Sequence, residues 1–237
     1  MNIMNTAPAI PATFAAATKD DKFITLSESN KKLQPTKEVK FLIWNIPAIM
    51  TCPYATKHCK GACYAVKAET AYPTCLPSRM KHFEISREND FAERMIFTIK
   101  AYLNKPAYKA AKKIVVRVHE SGDFYNMAYM GKWYQIAEYF KTDKRVVFMA
   151  YTKSVKFVDQ LHELGHNKPA NMVIRYSVWD DTNPDDIELA NKYDLPIYTA
   201  VDKFTPAIPS QNRCRCKDCA TCGKCWSKTK KIICEIH

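Results

Sequence analysis

The clearest metal-binding chemistry lies in the stretch TCPYATKHCKGACYA, which carries three cysteines: Cys52, Cys59 and Cys63. The stretch follows an apolar run, KFLIWNI, so we expect the cysteines on a loop at the carboxyl end of a strand. In α/β proteins this edge of the sheet usually carries the chemistry. Three close thiols can bind a metal or an iron–sulfur cluster and leave one coordination position open, as working sites do. A closed structural zinc site with His58 or Cys75 as fourth ligand fits the same residues.

A second group of cysteines lies near the C-terminus: Cys214, Cys216, Cys219, Cys222, Cys225 and Cys234. Four of them form a Cys-x2-Cys-x2-Cys-x2-Cys run, whereas zinc ribbons generally use two Cys-x2-Cys pairs that are far apart. The run is similar to the Cys-x2-Cys-x2-Cys-x3-Cys run of ferredoxins, which binds [4Fe–4S] clusters. We therefore predict a second cluster here, with the first five cysteines as its ligand candidates and Cys234 as a further one. The alternative is that these cysteines bind zinc.

Composition and charge indicate in which compartment the protein resides and which classes of partner it could bind. The 237 residues suit one large α/β domain, and no apolar run reaches membrane-spanning length. We expect a cytoplasmic protein without a membrane partner, in which ten cysteines stay reduced and favour metal binding over disulfides. The formal charge of +12 comes from scattered lysines, so a nucleic-acid partner stays open, as does an unknown substrate or electron donor.

Strands and helices are predicted to alternate along the chain. The strands fall at residues 40–46, 114–118, 146–151, 172–178, 195–201 and 231–236, and the helices at 77–103, 126–140, 154–164 and 184–192. This alternation predicts an α/β fold, a partial (β/α)6-like barrel of parallel strands with a cysteine-rich C-terminal extension. We expect a mobile leader at 1–35 with one short strand at 23–26, the barrel at 36–206, and the cluster-binding tail at 207–237.

Polar side chains at the strand ends predict a pocket. Charged residues facing into a barrel are costly unless they are paired or contact a ligand. The candidates for orienting a ligand or handling protons are His119, Glu120 and Asp123, and those for binding a cofactor are Ser121, Gly122, Lys153 and Arg175. The alternatives are that Asp123 caps the following helix, and that Arg117 and Arg175 form internal ion pairs with Glu120 or Asp180.

Four segments of the chain resemble the phage and prophage "gene product 88" family. They are the loop TCPYATKHCKGACYA, HESGDFY, FMAYTKS and the tail CKDCATCGKCW. The resemblance covers most of residues 35–237. It implies a phage or prophage origin and no particular activity.

A looser resemblance is to radical S-adenosylmethionine (SAM) enzymes, in which a three-cysteine loop after the first strand of a partial barrel binds a [4Fe–4S] cluster. It implies that Cys52, Cys59 and Cys63 hold a cluster with an open iron for SAM, and that Ser121-Gly122-Asp123 receives the amino group of SAM. The tail is similar to an auxiliary-cluster extension. The cysteine spacing differs, with six and three intervening residues in place of three and two. The rival hypothesis is a non-catalytic cluster or zinc protein that binds nucleic acid or a host protein.

Overall fold

The fold is built on one sheet of six parallel strands that follow each other in chain order. The computed structural model describes residues 23–201, 213–214, 218–227 and 229–235. The strands are β1 (Val39–Trp44), β2 (Lys113–Val118), β3 (Val146–Thr152), β4 (Met172–Val178), β5 (Ile197–Val201) and β6 (Lys231–Glu235). All six predicted strands are found, each within two residues of its predicted bounds. The sheet curls into a half-barrel flanked by helices, which confirms the predicted fold class.

Helices connect the parallel strands, as right-handed crossovers require. They are α1 (Lys57–Gly61), α2 (Tyr64–Ala71), α3 (Cys75–Arg87), α4 (Phe91–Leu103), α5 (Pro106–Lys109), α6 (Met127–Tyr139), α7 (Val155–Glu163), α8 (Pro184–Lys192) and α9 (Cys219–Cys222). The single helical segment predicted at 77–103 is wrong, because Glu88 is extended (φ −61°, ψ 146°) and separates α3 from α4. Gly165 follows α7 with φ +82°, the left-handed conformation in which glycine commonly ends a helix.

Each face of the sheet packs against a different part of the chain. The side chains of Ile114, Val116 and Val118 on β2 join the large core beneath the helices. Val115 lies on the opposite, concave face and joins a smaller apolar cluster with Phe41 and other strand residues. Because side chains alternate along a strand, Arg117 shares this concave face. Arg117 is a charged residue that the sequence predicts to face into the barrel, and it does lie on the concave side of the sheet.

Both ends of the described chain contribute to the fold. Ile24, Leu26 and Leu33 are buried, so the predicted leader ends in a segment that packs onto the core. The short strand predicted at 23–26 is not found, since Ser27 forms only an isolated bridge with Ile43. At the other end β6 pairs with β5, and Trp226 packs edge-on against Phe41 with ring centroids 5.6 Å apart. The tail thus completes the sheet and covers part of its concave face.

Across the described ranges, no helix has the length and apolar character needed to cross a membrane.

Candidate metal centre

The cysteine loop has a defined local structure between β1 and α2. Thr51 donates its hydroxyl to the Pro47 carbonyl at 2.6 Å, which fixes the turn just before Cys52. Thr56 caps α1 by accepting a hydrogen bond from the Cys59 N–H at 3.3 Å. Cys63 occupies the N-cap position of α2. Two short helices therefore set the positions of the second and third thiols.

The three loop thiols interact electrostatically with one another at the carboxyl edge of the sheet. Cys52 is within electrostatic range of Asp123, Cys59 and Cys63. Cys59 is within range of Lys153, Cys63 and Asp123. Burial raises the pKa of the Cys52 thiol to about 12, and the nearby Asp123 carboxylate raises it further. The structure brings the three predicted metal ligands together with two of the predicted pocket residues.

The turn after β2 lies against the cysteine loop. Gly122 has φ +83°, and a Cβ placed there would lie 2.4 Å from Ile46 Cγ1 and 2.6 Å from Thr51 Oγ1. Only glycine fits this approach. The turn at Gly122 is tight, and the group that approaches Gly122 is the protein's own loop; its predicted part in binding a cofactor stays a prediction. Ser121 beside it is buried, and its hydroxyl has no hydrogen-bond partner in the described part of the chain.

Asp123 is a buried carboxylate held by three donors. One oxygen accepts from Thr152 Oγ1 at 2.6 Å and the Phe124 N–H at 2.7 Å, and the other accepts from the Lys153 N–H at 2.8 Å. Burial raises the pKa of Asp123 to about 6 in spite of these hydrogen bonds. The alternative that Asp123 caps the following helix is wrong, since Asn126 is the N-cap of α6.

Lys153 is the cation next to the loop thiols. Its ammonium group donates to the Ser177 carbonyl at 2.8 Å and lies 5.6 Å from the centre of the Trp179 ring. Burial lowers the pKa of Lys153, whereas Cys59 and Asp123 raise it. An ammonium here offsets the charge of thiolates in the loop.

His119 has its ring on the helix side of the sheet. Its Nε2 lies 2.8 Å from the Tyr129 hydroxyl, and its ring packs edge-on against Phe124 at 4.9 Å. Burial lowers the pKa of His119 to about 3, so the imidazole is neutral at pH 7. The structure does not bring His119 to the loop thiols, and its predicted role in proton handling stays a prediction.

Glu120 lies at the boundary between the turn and the loop. Its carboxylate accepts from Asn30 Nδ2 at 2.6 Å, and its N–H donates to Asn45 Oδ1 at 2.7 Å. Tyr64, the residue after Cys63, donates its hydroxyl to the Glu120 carbonyl. Glu120 is thus linked to the loop through its backbone, and its predicted part in orienting a ligand stays a prediction.

The tail thiols gather around Cys214. Cys219 and Cys225 are both within electrostatic range of it, and Cys222 is within range of Cys219. Cys234 on β6 is in hydrogen-bond contact with Cys214. Burial raises the pKa of Cys219 to about 11, and Cys225 raises it further. Five of the six tail cysteines therefore form one group.

The remaining tail candidate, Cys216, lies outside the described residues.

Arg175 anchors the tail to the sheet. Its guanidinium is fully buried and donates to four backbone carbonyls, those of Lys224, Cys225, Ser227 and Thr229, at 2.7 to 3.1 Å. The alternative of an ion pair with Asp180 is wrong, because no described carboxylate oxygen lies within 4.0 Å of Arg175. The guanidinium of Arg175, which was predicted to bind a cofactor, thus holds the cysteine-rich segment.

The spacing of the thiols differs from that of a single-ion site. Zn–S bonds of about 2.3 Å in a tetrahedron put sulfur atoms about 3.8 Å apart. Within the described ranges, the one group of three ligand atoms closer than 4.8 Å to one another is His58, Asp180 and Asp181, all exposed. His58, a candidate fourth ligand of the loop, has its Nδ1 2.6 Å from Asp180 Oδ1. The other candidate, Cys75, begins α3.

The model of the Gene product 88 family matches residues 24–228. The chain belongs to the Gene product 88 family. A search of curated proteins and a search of solved structures each give no match. The matched region contains the cysteine loop, the Gly122 turn and the tail up to Trp226, so both thiol groups of this Gene product 88 protein lie within the family region, apart from Cys234 on β6.

Sequence reasoning missed two polar residues that shape this Gene product 88 site. Asn45, just after β1, accepts hydrogen bonds from the N–H groups of Glu120 and Ser121 at 2.7 and 3.0 Å. Tyr151 on β3 is in hydrogen-bond contact with the Cys225 sulfur. Both are polar residues at or near the end of an apolar strand, which is the signal that could have identified them.

Proposed function

We propose that this Gene product 88 protein is an iron–sulfur protein with two [4Fe–4S] sites. The loop site uses Cys52, Cys59 and Cys63 and has an open coordination position in the manner of radical SAM enzymes. The tail site uses the cysteines around Cys214. The observation that carries the proposal is the meeting of the three loop thiols with Asp123 at the carboxyl edge of the half-barrel.

The chemistry of the thiols fits such clusters. No three of the described thiol sulfurs lie within 4.8 Å of one another, so the thiols are not gathered around one zinc-sized ion, and a cluster is a larger body for them to bind. Burial raises the pKa of Cys52 to about 12 and that of Cys219 to about 11, so these thiols are protonated at pH 7 unless a metal binds. Bound metal replaces the protons, and its positive charge offsets the cost of burying thiolates.

The loop site differs from the tail site in its ligand count. Three cysteines meet in the loop, whereas five described cysteines gather in the tail. A cluster with three protein ligands leaves one iron for an external ligand, and when bound it supplies one-electron redox chemistry.

The surrounding residues would position a ligand at the open iron. Asp123 is an acceptor that is buried next to Cys52, and Lys153 is a cation next to Cys59. The Ser121 hydroxyl has no partner among the described residues and is free to donate or accept a hydrogen bond. The close packing of Gly122 on Thr51 fixes the distance between this turn and the loop.

Anaerobic purification followed by iron and acid-labile sulfide analysis tests the two-site proposal. We expect iron and sulfide approaching two clusters per chain. Stoichiometric zinc without sulfide, in protein made with ample iron, would refute it.

Electron paramagnetic resonance of the reduced protein during titration with SAM tests the open position. We expect the signal of the loop cluster to shift, and Asp123→Asn to weaken that shift. A signal that is insensitive to SAM would favour a closed, non-catalytic site. Glu138→Gln is the matched control for loss of one carboxylate, because Glu138 is exposed on α6 and pairs with Lys141, away from the loop.

A further inference from the structure

Arg117 lies on the concave face of the sheet, between the tail thiol of Cys225 and Tyr64 at the end of the cysteine loop. Within its electrostatic range are Tyr64 and Glu120 on the loop side, and Tyr151 and Cys225 on the tail side. Its guanidinium carbon lies 5.3 Å from the centre of the Tyr151 ring.

Most hydrogen-bond donors of Arg117 have no acceptor among the residues that the structure describes. Its Nε donates to the His119 carbonyl over a long distance of 3.5 Å. In the described ranges, neither Nη atom has a hydrogen-bond partner, and no carboxylate oxygen lies within 4.0 Å. Arg175, on the same face of β4, donates instead to four carbonyls. The contrast shows that the concave face can saturate a guanidinium, and at Arg117 it does not.

The neighbouring groups are bonded elsewhere. The Glu120 carboxylate accepts from Asn30 at 2.6 Å, and the Tyr64 hydroxyl donates to the Glu120 carbonyl. The Cys225 sulfur is in hydrogen-bond contact with Tyr151, and sulfur is a weak acceptor. A guanidinium stays charged at every accessible pH, and a half-buried cation is costly unless it is paired. Among the described residues Arg117 therefore has no oxyanion partner, and the tail thiols Cys219 and Cys225 are its anionic neighbours only when metal binds them.

We infer that Arg117 binds an oxyanion, a carboxylate or phosphate, carried by a ligand that lies on the concave face between the tail thiols and Tyr64 of the cysteine loop. The planar fork of Nη donors matches two oxygen atoms of such a group, and the match gives orientation as well as affinity. This inference rests on the proposed function in one respect, since it places the anionic ligand beside the open position of the loop site.

Calorimetric titration of anaerobically purified protein with inorganic phosphate, and separately with acetate, tests the inference. We expect wild type to bind phosphate or acetate saturably. Arg117→Gln should bind that anion about 10-fold to 100-fold more weakly, because it loses charge-assisted hydrogen bonds. The anion that binds more tightly identifies the class of group. Arg87→Gln is the matched control, because it removes an equal charge from an exposed side chain of this basic protein and should bind as wild type does.

The inference is overturned if neither anion binds saturably to wild type, or if Arg117→Gln binds as tightly as Arg87→Gln. Should Arg117→Gln fail to fold, Arg117→Lys decides, since it keeps the charge and loses the fork; unchanged affinity would overturn the inference. Iron and sulfide content of the same samples reports separately on the proposed function. Iron loss in Arg117→Gln with unchanged anion binding would assign Arg117 to the tail cluster and overturn the inference.

Discussion

Replacing Gly122 with Ala tests the contact between the β2 turn and the cysteine loop. An L-residue at φ +83° costs about 1–2 kcal/mol. The added Cβ would also lie 2.4 Å from Ile46 Cγ1 and 2.6 Å from Thr51 Oγ1, and such overpacking costs about 1–3 kcal/mol. We therefore expect Gly122→Ala to lower the free energy of unfolding by about 2–5 kcal/mol, the sum of the two costs.

Gly165→Ala is the matched control. Gly165 has φ +82°, and a Cβ placed there would have no atom within 4 Å. It carries only the conformational cost of about 1–2 kcal/mol. Both substitutions restrict the unfolded chain equally, so that effect cancels in the comparison. The difference between the variants isolates the crowding against the loop.

Urea denaturation of both metal-free variants measures this difference, and iron analysis after anaerobic reconstitution measures its effect on the site. The crowded variant must move Thr51, which directly precedes Cys52, so we expect it to bind less iron while Gly165→Ala binds as much as wild type. Equal destabilisation of the two variants, or unchanged iron in Gly122→Ala, would refute the close contact that this reasoning uses.

Three further substitutions test other parts of the structure. Arg175→Lys should weaken attachment of the tail by about 2–4 kcal/mol, because a lysine cannot reach four carbonyls at once; hydrogen exchange of residues 224–229 measures this, with Arg145→Lys as control. Replacing Cys219 and Cys222 with Ala should remove about half of the bound iron and leave the spectrum of the loop cluster; complete loss of iron with retained folding would indicate a single shared site. His119→Gln should change the pH dependence of stability, as measured by urea denaturation between pH 4 and 6.

The sign of the His119 effect follows from its pKa. The pKa is about 3 in the folded protein and 6.5 as the ordinary value, so between these values the unfolded state binds the extra proton. Stability from this group is therefore lost as pH falls below about 6.5. Wild type should gain about 1.4 kcal/mol per pH unit relative to His119→Gln from pH 4 to 6. A difference that is independent of pH would contradict the burial of a neutral imidazole.

Asp123 acts in the opposite direction in the same range. Its pKa is raised from 3.8 to about 6, so its contribution to stability falls as pH rises through this interval. Wild type alone should consequently show little slope from these two groups, which is why the comparison with the variant is needed.

Local patterns were sufficient to predict the sheet and the two thiol groups. In a chain whose strands and helices alternate, a short apolar run such as IVVRV predicts a buried strand. The spacing of the cysteines can be read without tertiary information. The break at Glu88 was missed because the apolar spacing continues across it from α3 to α4. The partners of Arg175 were also out of reach, since backbone carbonyls fifty residues away carry no sequence signal.

Strand order also governs how the protein is made. Each strand pairs with its immediate predecessor, so the sheet can grow one strand at a time as the chain leaves the ribosome. The loop of Cys52 meets its β2 neighbour at residue 122, about one hundred residues before the tail is synthesised. The concave face therefore stays uncovered until the tail has been synthesised. Whatever enters this face has its widest access before Trp226 packs on Phe41.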